Sequence, residues 1–150
     1  MIGIRRAVPG DLEDLVRLLG LLFSIEADFR PDPARQRRGL LRMLEDSERR
    51  LVLVAVQEGT VIGMVTVQLL VSTAEGGDSA LLEDLVVEAR CRGAGVGSML
   101  LDEAQRWARA RGATRLQLLA DRENEPALRF YARRAWSSTR MVCLRRMLPG

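Results

Sequence analysis

The chain contains no lysine and no histidine; its 23 basic side chains are all arginine. Those absences exclude a good deal of chemistry. There can be no Ser-His-Asp triad, no Cys-His pair, no lysine Schiff base and no histidine-ligated zinc. Proton transfer must fall to Asp, Glu, Tyr, Cys, a terminus or bound water. Cysteine is scarce too. Cys91 and Cys143 lie far apart, form no metal-type spacing, and read as inert thiols rather than a disulfide. No apolar run approaches the roughly 20 residues that span a bilayer. The opening residues mix Arg5 and Arg6 with Asp11 and do not resemble a signal peptide. A soluble, cytoplasmic protein with no membrane partner is expected.

What is present suits one globular domain over residues 1–150, with a hydrophobic fraction of 47% and mixed charges. The net charge of +3 favours anionic ligands. No arginine run tracks a phosphate backbone, so nucleic acid is not an expected partner. The charge pattern, the apolar pattern and the turn residues together point to a mixed α/β layer.

Ile2 to Arg6 reads as a first strand, and Val8-Pro9-Gly10-Asp11 as a turn and cap. Leu12, Leu15, Leu18, Leu19 and Leu22 then recur at helical spacing. After Pro31-Asp32-Pro33 a second helix is expected from Ala34 to Asp46, burying Leu40, Leu41 and Leu44. Leu51 to Val56 and Val61 to Val71 are β-branched runs around Gln57-Glu58-Gly59-Thr60, a hairpin signal. Ser72 to Ser79 turns the chain into a strand from Ala80 to Val87. A helix follows to Arg111, with Gly112 ending it. A strand over Thr114 to Ala120 and a helix over Asn124 to Arg134 come next. Trp136 and the alternating Met141 to Met147 segment are expected to close the sheet.

The stretch Leu81 to Gly97, LLEDLVVEARCRGAGVG, holds the chemistry. A strand entering a glycine turn and then a helix presents free N–H groups to an anion, phosphate above all. A Rossmann site would need the turn after the first strand of a parallel sheet and an acid about 20 residues on. Three antiparallel strands come first here, and no acid is suitably placed. A P-loop would need Gly-Lys-Ser/Thr, and there is no lysine. A coenzyme A pyrophosphate is the third reading, and the surrounding residues favour it.

At these residues the chain resembles the GCN5-related N-acetyltransferase (GNAT) superfamily. Arg92, Gly95 and Gly97 meet its Arg/Gln-x-x-Gly-x-Gly/Ala motif. Asn124, Ala127, Phe130 and Tyr131 meet the block that follows. Two departures stand out: Glu88-Ala89 where many members have proline, and Ala135 where a glycine usually follows the tyrosine helix.

The resemblance implies the acyl-CoA N-acyltransferase fold, a central mixed sheet flanked by helices, and acetyl-CoA as the acyl donor. It implies pantetheine pairing along the main chain of Leu85, Val86 and Val87. A pyrophosphate would be cradled by Arg92, Gly93, Ala94, Gly95, Val96, Gly97 and Ser98, with Asn124 and Tyr131 also at the cofactor. Tyr131 would be the general acid. Glu83 is the candidate base, acting through water, by likeness to Glu-Asp-Leu strands of polyamine-type acetyltransferases. Glu26, Asp28 and Glu75 are its rivals. Asp84 is expected to face away, since strand neighbours alternate. Phe23, Glu26 and Phe29 would shape an acceptor pocket suited to a cationic amine.

Transfer of acetyl to a primary amine of a small molecule or peptide is thus expected, with a homodimer possible in this family. The alternatives are a non-catalytic acyl-CoA sensor and an acyltransferase toxin acting on aminoacyl-tRNA.

Overall fold

Glu58 and Gly59 both take positive φ, 50° and 77°, the pair of left-handed residues that a two-residue type I′ hairpin loop requires. They join β2 (Arg50–Gln57) to β3 (Thr60–Ser72), the centre of the sheet in this computed structural model, which describes every residue but Ala27. β1 (Ile2–Arg6) pairs antiparallel with β2, and β4 (Gly77–Val87) antiparallel with β3. β4 starts at Gly77 rather than Ala80, because the turn before it brings Ser72 opposite Gly77. β5 (Leu116–Leu118) lies parallel to β4, giving a five-stranded mixed sheet in the order β1-β2-β3-β4-β5. The strand expected over Thr114 to Ala120 is thus only its middle.

The described residues form two compact units, Met1–Leu118 and Leu119–Gly150. In the first, α1 (Leu12–Ile25) and α2 (Pro33–Met43) pack Leu15, Leu18, Leu19 and Leu40 against Val52, Val54, Met64 and Val86 of the sheet. α3 (Val96–Ala110) buries Val96, Leu100, Leu101, Ala104 and Ala108. A Cβ on Gly63 would stand 3.2 Å from both Leu100 Cδ1 and the Val86 carbonyl oxygen. Glycine there lets the start of α3 settle closely beside the end of β4, which sets the geometry of the site.

Asp11 does not cap α1 with its side chain as expected. Its carboxylate accepts from the Val8 N–H at 2.8 Å and from both terminal nitrogens of Arg5, at 2.7 and 3.0 Å. The Arg5 hydrogen bonds hold the Asp11 carboxyl below the usual range. In α2, Leu41 is exposed although a buried position was expected, whereas Gln36 is buried. Its amide is satisfied there, donating to the Val16 carbonyl at 3.2 Å and accepting from the Asp32 N–H at 2.9 Å.

The second unit contains α4 (Glu125–Ala132), capped by the Asn124 side chain, which accepts from the Ala127 N–H at 3.3 Å. At its other end Trp136 N–H donates to the Tyr131 carbonyl and Ala135 N–H to that of Ala132, a Schellman arrangement. That motif wants a left-handed residue, and Ala135 supplies it at φ 64°. The backbone shape a glycine would favour is kept in spite of the alanine. Ala135→Gly should therefore stabilise the protein by about 1 kcal/mol, read as a higher urea midpoint with an unchanged slope. No strand forms over Met141 to Met147; Met141, Val142, Leu144 and Met147 are exposed. Alternation by itself does not make a strand, because the ladder needs a partner edge.

Candidate active site

β4 has two different edges. Along β3 it is paired over its whole length, but β5 reaches only Ala80, Leu81 and Leu82. From Glu83 to Val87 no strand among the described residues pairs with the other edge, which is therefore open in the sheet. Glu88 N–H donates to the Ile62 carbonyl at 2.8 Å, towards β3. Main-chain groups alternate along a strand, so those of Val86 also turn to β3, and those of Leu85 and Val87 turn outward. Val86 therefore departs from the expected rail: its peptide groups serve the sheet and its side chain the core.

The open edge runs directly into the glycine turn. Gly93 and Gly95 take φ 83° and 82°, and a Cβ on either would meet nothing within 4 Å. Arg92 to Gly95 is exposed, while the Val96 side chain is buried. Only the Val96 main chain can reach a ligand. With Gly97 and Ser98 it forms the first turn of α3, the end of a helix that presents its amide N–H groups to an anion. Arg92 Nε donates to the Val87 carbonyl at 3.1 Å, which fixes the guanidinium between strand end and turn. Its two terminal nitrogens have no acceptor among the described residues. Positive charge, aligned amides and a helix dipole thus converge on one spot.

The acidic pair on β4 departs from the expected alternation. Thr66 pairs with Asp84 but Val67 with Leu82, so β4 carries one extra residue, Glu83, in a β-bulge. Gly63 abuts α3, and Val65 and Val67 share its face. Their partners Leu85 and Leu82 therefore both lie on the α3 side. Glu83 and Asp84 together oppose Thr66, on the side where Met64 and Val86 meet α1. The two acids are not separated by the pleat.

Their environments differ sharply. Glu83 is exposed. Asp84 is half-buried, and its carboxyl is pushed up to about 6, first by burial and further by the negative Glu83 and Glu26, against the Thr66 hydrogen bond. Sequence reasoning passed over Asp84. Two acids within an apolar run are legible in the sequence; that Thr66 lies opposite both depends on the strand register.

Glu26 ends α1, and the rings of Phe23 and Phe29 meet at 5.3 Å around that turn. Ala27, inside the expected acceptor segment, lies outside the described residues. Of the rival acids, Asp28 is exposed. Glu75 accepts from Thr114 Oγ1 at 2.7 Å and Arg115 Nη1 at 3.3 Å, so it serves as a strut beside the β3–β4 turn. Glu88 is ion-paired with Arg17 of α1, whose Nη2 also donates to the Val61 carbonyl at 3.2 Å. That clamp holds α1 over the end of β4. In the second unit, the Tyr131 ring lies between Phe130 at 5.3 Å and Trp136 at 5.6 Å. Among the described residues no helix is long and apolar enough to cross a membrane, and no cluster of Cys, Asp or Glu could hold a metal ion.

A sheet opened along β4, with a glycine turn feeding a helix, is the arrangement of an acyl-CoA N-acyltransferase fold. The chain belongs to the acetyltransferase (GNAT) family, whose model matches residues 13–136. It is 29% identical over 130 residues to an uncharacterized N-acetyltransferase of Archaeoglobus fulgidus, covering 86% of this chain and 88% of that protein. It is 36% identical over 80 residues to the uncharacterized N-acetyltransferase YhdJ of Bacillus subtilis. That match spans 53% of this chain and little more than half, 56%, of the relative. Among solved structures, an aminoglycoside N-acetyltransferase in complex with CoA superposes with a TM-score of 0.84 at 19% identity, covering 98% of this chain and 95% of that one. At that identity the likeness speaks for the fold alone.

Proposed function

We propose that the protein is an acetyl-CoA-dependent N-acetyltransferase that passes acetyl directly to a primary amine of a small molecule or peptide. The observation that carries this reading is the open edge of β4 running without interruption into the exposed turn at Gly93 and Gly95. These parts fit coenzyme A: outward main-chain groups for the pantetheine amides, then amides and an arginine for the pyrophosphate. When bound, acetyl-CoA supplies an acetyl group activated as a thioester. The Arg92 guanidinium and the first-turn amides of α3 hold the anionic end. Leu85 and Val87 offer N–H groups where the carbonyl oxygen gains charge.

An acceptor would enter on the α1 side, where Glu26, Glu83 and Asp84 favour a cationic amine and Phe23 and Phe29 offer an apolar wall. Glu83, acting through water, is the base that the family resemblance favours. Tyr131 is assigned, on the motif alone, the proton that the leaving thiolate needs.

Thiol release from acetyl-CoA, followed over aminoglycosides, polyamines, peptides and aminoacylated RNA, tests the reading. Turnover is expected with a cationic small amine or a peptide amine. A rise in melting temperature with acetyl-CoA but no turnover on any acceptor would make the protein a sensor instead. Tyr131→Phe should lower kcat by about 10²-fold with CoA affinity retained; an unchanged kcat removes Tyr131 as the acid.

A further inference from the structure

Asp84 is a carboxyl group where a carboxyl group is costly. It sits in mid-sheet, on the face that α1 covers, and no arginine pairs with it among the described residues of a chain rich in arginine. Its position is fixed by one neighbour. Thr66 Oγ1 donates to Asp84 Oδ2 at 2.7 Å, and the Asp84 N–H donates back to Thr66 Oγ1 at 3.2 Å. Oδ1 has no hydrogen-bond donor among the described residues, and it is not sealed off as a buried unsatisfied atom.

A purely structural residue would not need this arrangement. Asparagine would accept the same threonine hydrogen bond without a charge to bury. What the carboxylate adds is a proton site, held by one oxygen and open at the other, next to the residue where the unpaired edge of β4 begins to offer its main chain. Among the described residues the charged groups that act on it are Glu83 on its own strand and Glu26 just past the end of α1; Thr66 faces it from β3. Both charged neighbours are negative. They strengthen the hold of Asp84 on a proton.

Building on the N-acetyltransferase reading, we propose that Asp84, rather than Glu83, is the general base that takes the proton from the acceptor ammonium. In that step an N–H bond of the ammonium breaks and an O–H bond forms at Asp84 Oδ1. The N–H electron pair stays on nitrogen, now a neutral nucleophile, and the carboxylic acid later returns its proton to water. The bulge at Glu83 is what makes this possible, because it turns Asp84 to the acceptor side. Glu83, exposed beside it, acts on the field around Asp84. With a carboxyl near 6, Asp84 is mostly ionised at neutral pH and ready to accept.

The test is the pH profile of kcat/KM for an amine that the wild type acetylates, by thiol release. The wild-type profile should fall on its acid side near pH 6. Asp84→Asn should lose on the order of 10²–10⁴ in rate, and the acid limb with it, while unfolding as cooperatively as the wild type. Two further variants leave the carboxyl in place and move the limb in opposite directions. Thr66→Val removes the hydrogen bond that favours the ionised form and should shift the limb to higher pH. Glu83→Gln removes a negative neighbour and should shift it lower. An Asp84→Asn enzyme that keeps the wild-type limb, or a Glu83→Gln enzyme that loses it, would overturn the proposal while leaving the acetyltransferase reading intact. A wild type that binds CoA yet acetylates no amine would overturn that reading, and this role of Asp84 with it.

Discussion

Gly95→Glu is expected to weaken CoA binding by on the order of 10²-fold while the protein still folds. Two effects contribute, and they can be separated. Gly95 caps α3 at φ 82°, where a residue with a Cβ costs roughly 1–2 kcal/mol. That cost lowers stability, at about 2–4 °C of melting temperature per kcal/mol for a chain of this size. A carboxylate there would also lie among the amides that the cradle offers an anion. It would compete for them and repel the pyrophosphate, and such like-charge contacts cost several kcal/mol. Gly95→Ala carries the first effect without the second, because a Cβ there meets nothing within 4 Å. Alanine should therefore lower the melting temperature yet bind CoA within about 10-fold of wild type. Titration calorimetry with CoA distinguishes the outcomes. Equal losses in both variants would attribute binding to backbone shape alone; no loss in either would remove the turn as the cradle.

That turn was legible in the sequence because its requirements are local: a strand, left-handed glycines and an amphipathic helix in immediate succession. The β2–β3 hairpin was legible for the same reason, since Glu58-Gly59 supplies both left-handed residues within the loop. What escaped the sequence depends on partners far along the chain. The bulge at Glu83 is one inserted residue, visible only in the register against Thr66 and Val67. Period-two alternation, applied without it, sent Asp84 to the wrong face. Leu41 is exposed where a buried position was expected, and Gln36 is buried because the Val16 carbonyl on α1 gives it a hydrogen bond inside the core. Met141 to Met147 has the composition of a strand without a ladder to join. In the candidate site, then, the half proposed to hold phosphate follows from local sequence, whereas the half proposed to accept a proton follows from strand register.

That register has a consequence for stability, and its sign runs against intuition: Asp84→Asn should make the protein more stable at neutral pH. Folding raises the Asp84 carboxyl from 3.8 to about 6. Between those values the folded state binds more protons than the unfolded chain, so unfolding free energy falls as pH rises through that window. Above it, the ionised group leaves the fold weaker by on the order of 2–3 kcal/mol, at about 1.4 kcal/mol per unit. Asparagine carries no such penalty and keeps an acceptor for the Thr66 hydroxyl. The advantage of the variant should be small at pH 4, grow from pH 4 to 6, and level off above it. Asp11 gives the opposite sign within the same fold. Its carboxyl is held low by Arg5, so it contributes stability above the unfolded carboxylate range and loses it as pH falls through its folded value. Asp11→Asn should accordingly weaken the protein at pH 7. Urea unfolding of the two variants from pH 4 to 8 measures both curves. An Asp84→Asn protein no more stable than wild type at pH 7 would mean that the carboxyl ionises at no cost. A measured gain, together with lost turnover, would identify Asp84 as a group retained for its chemistry at the expense of the fold.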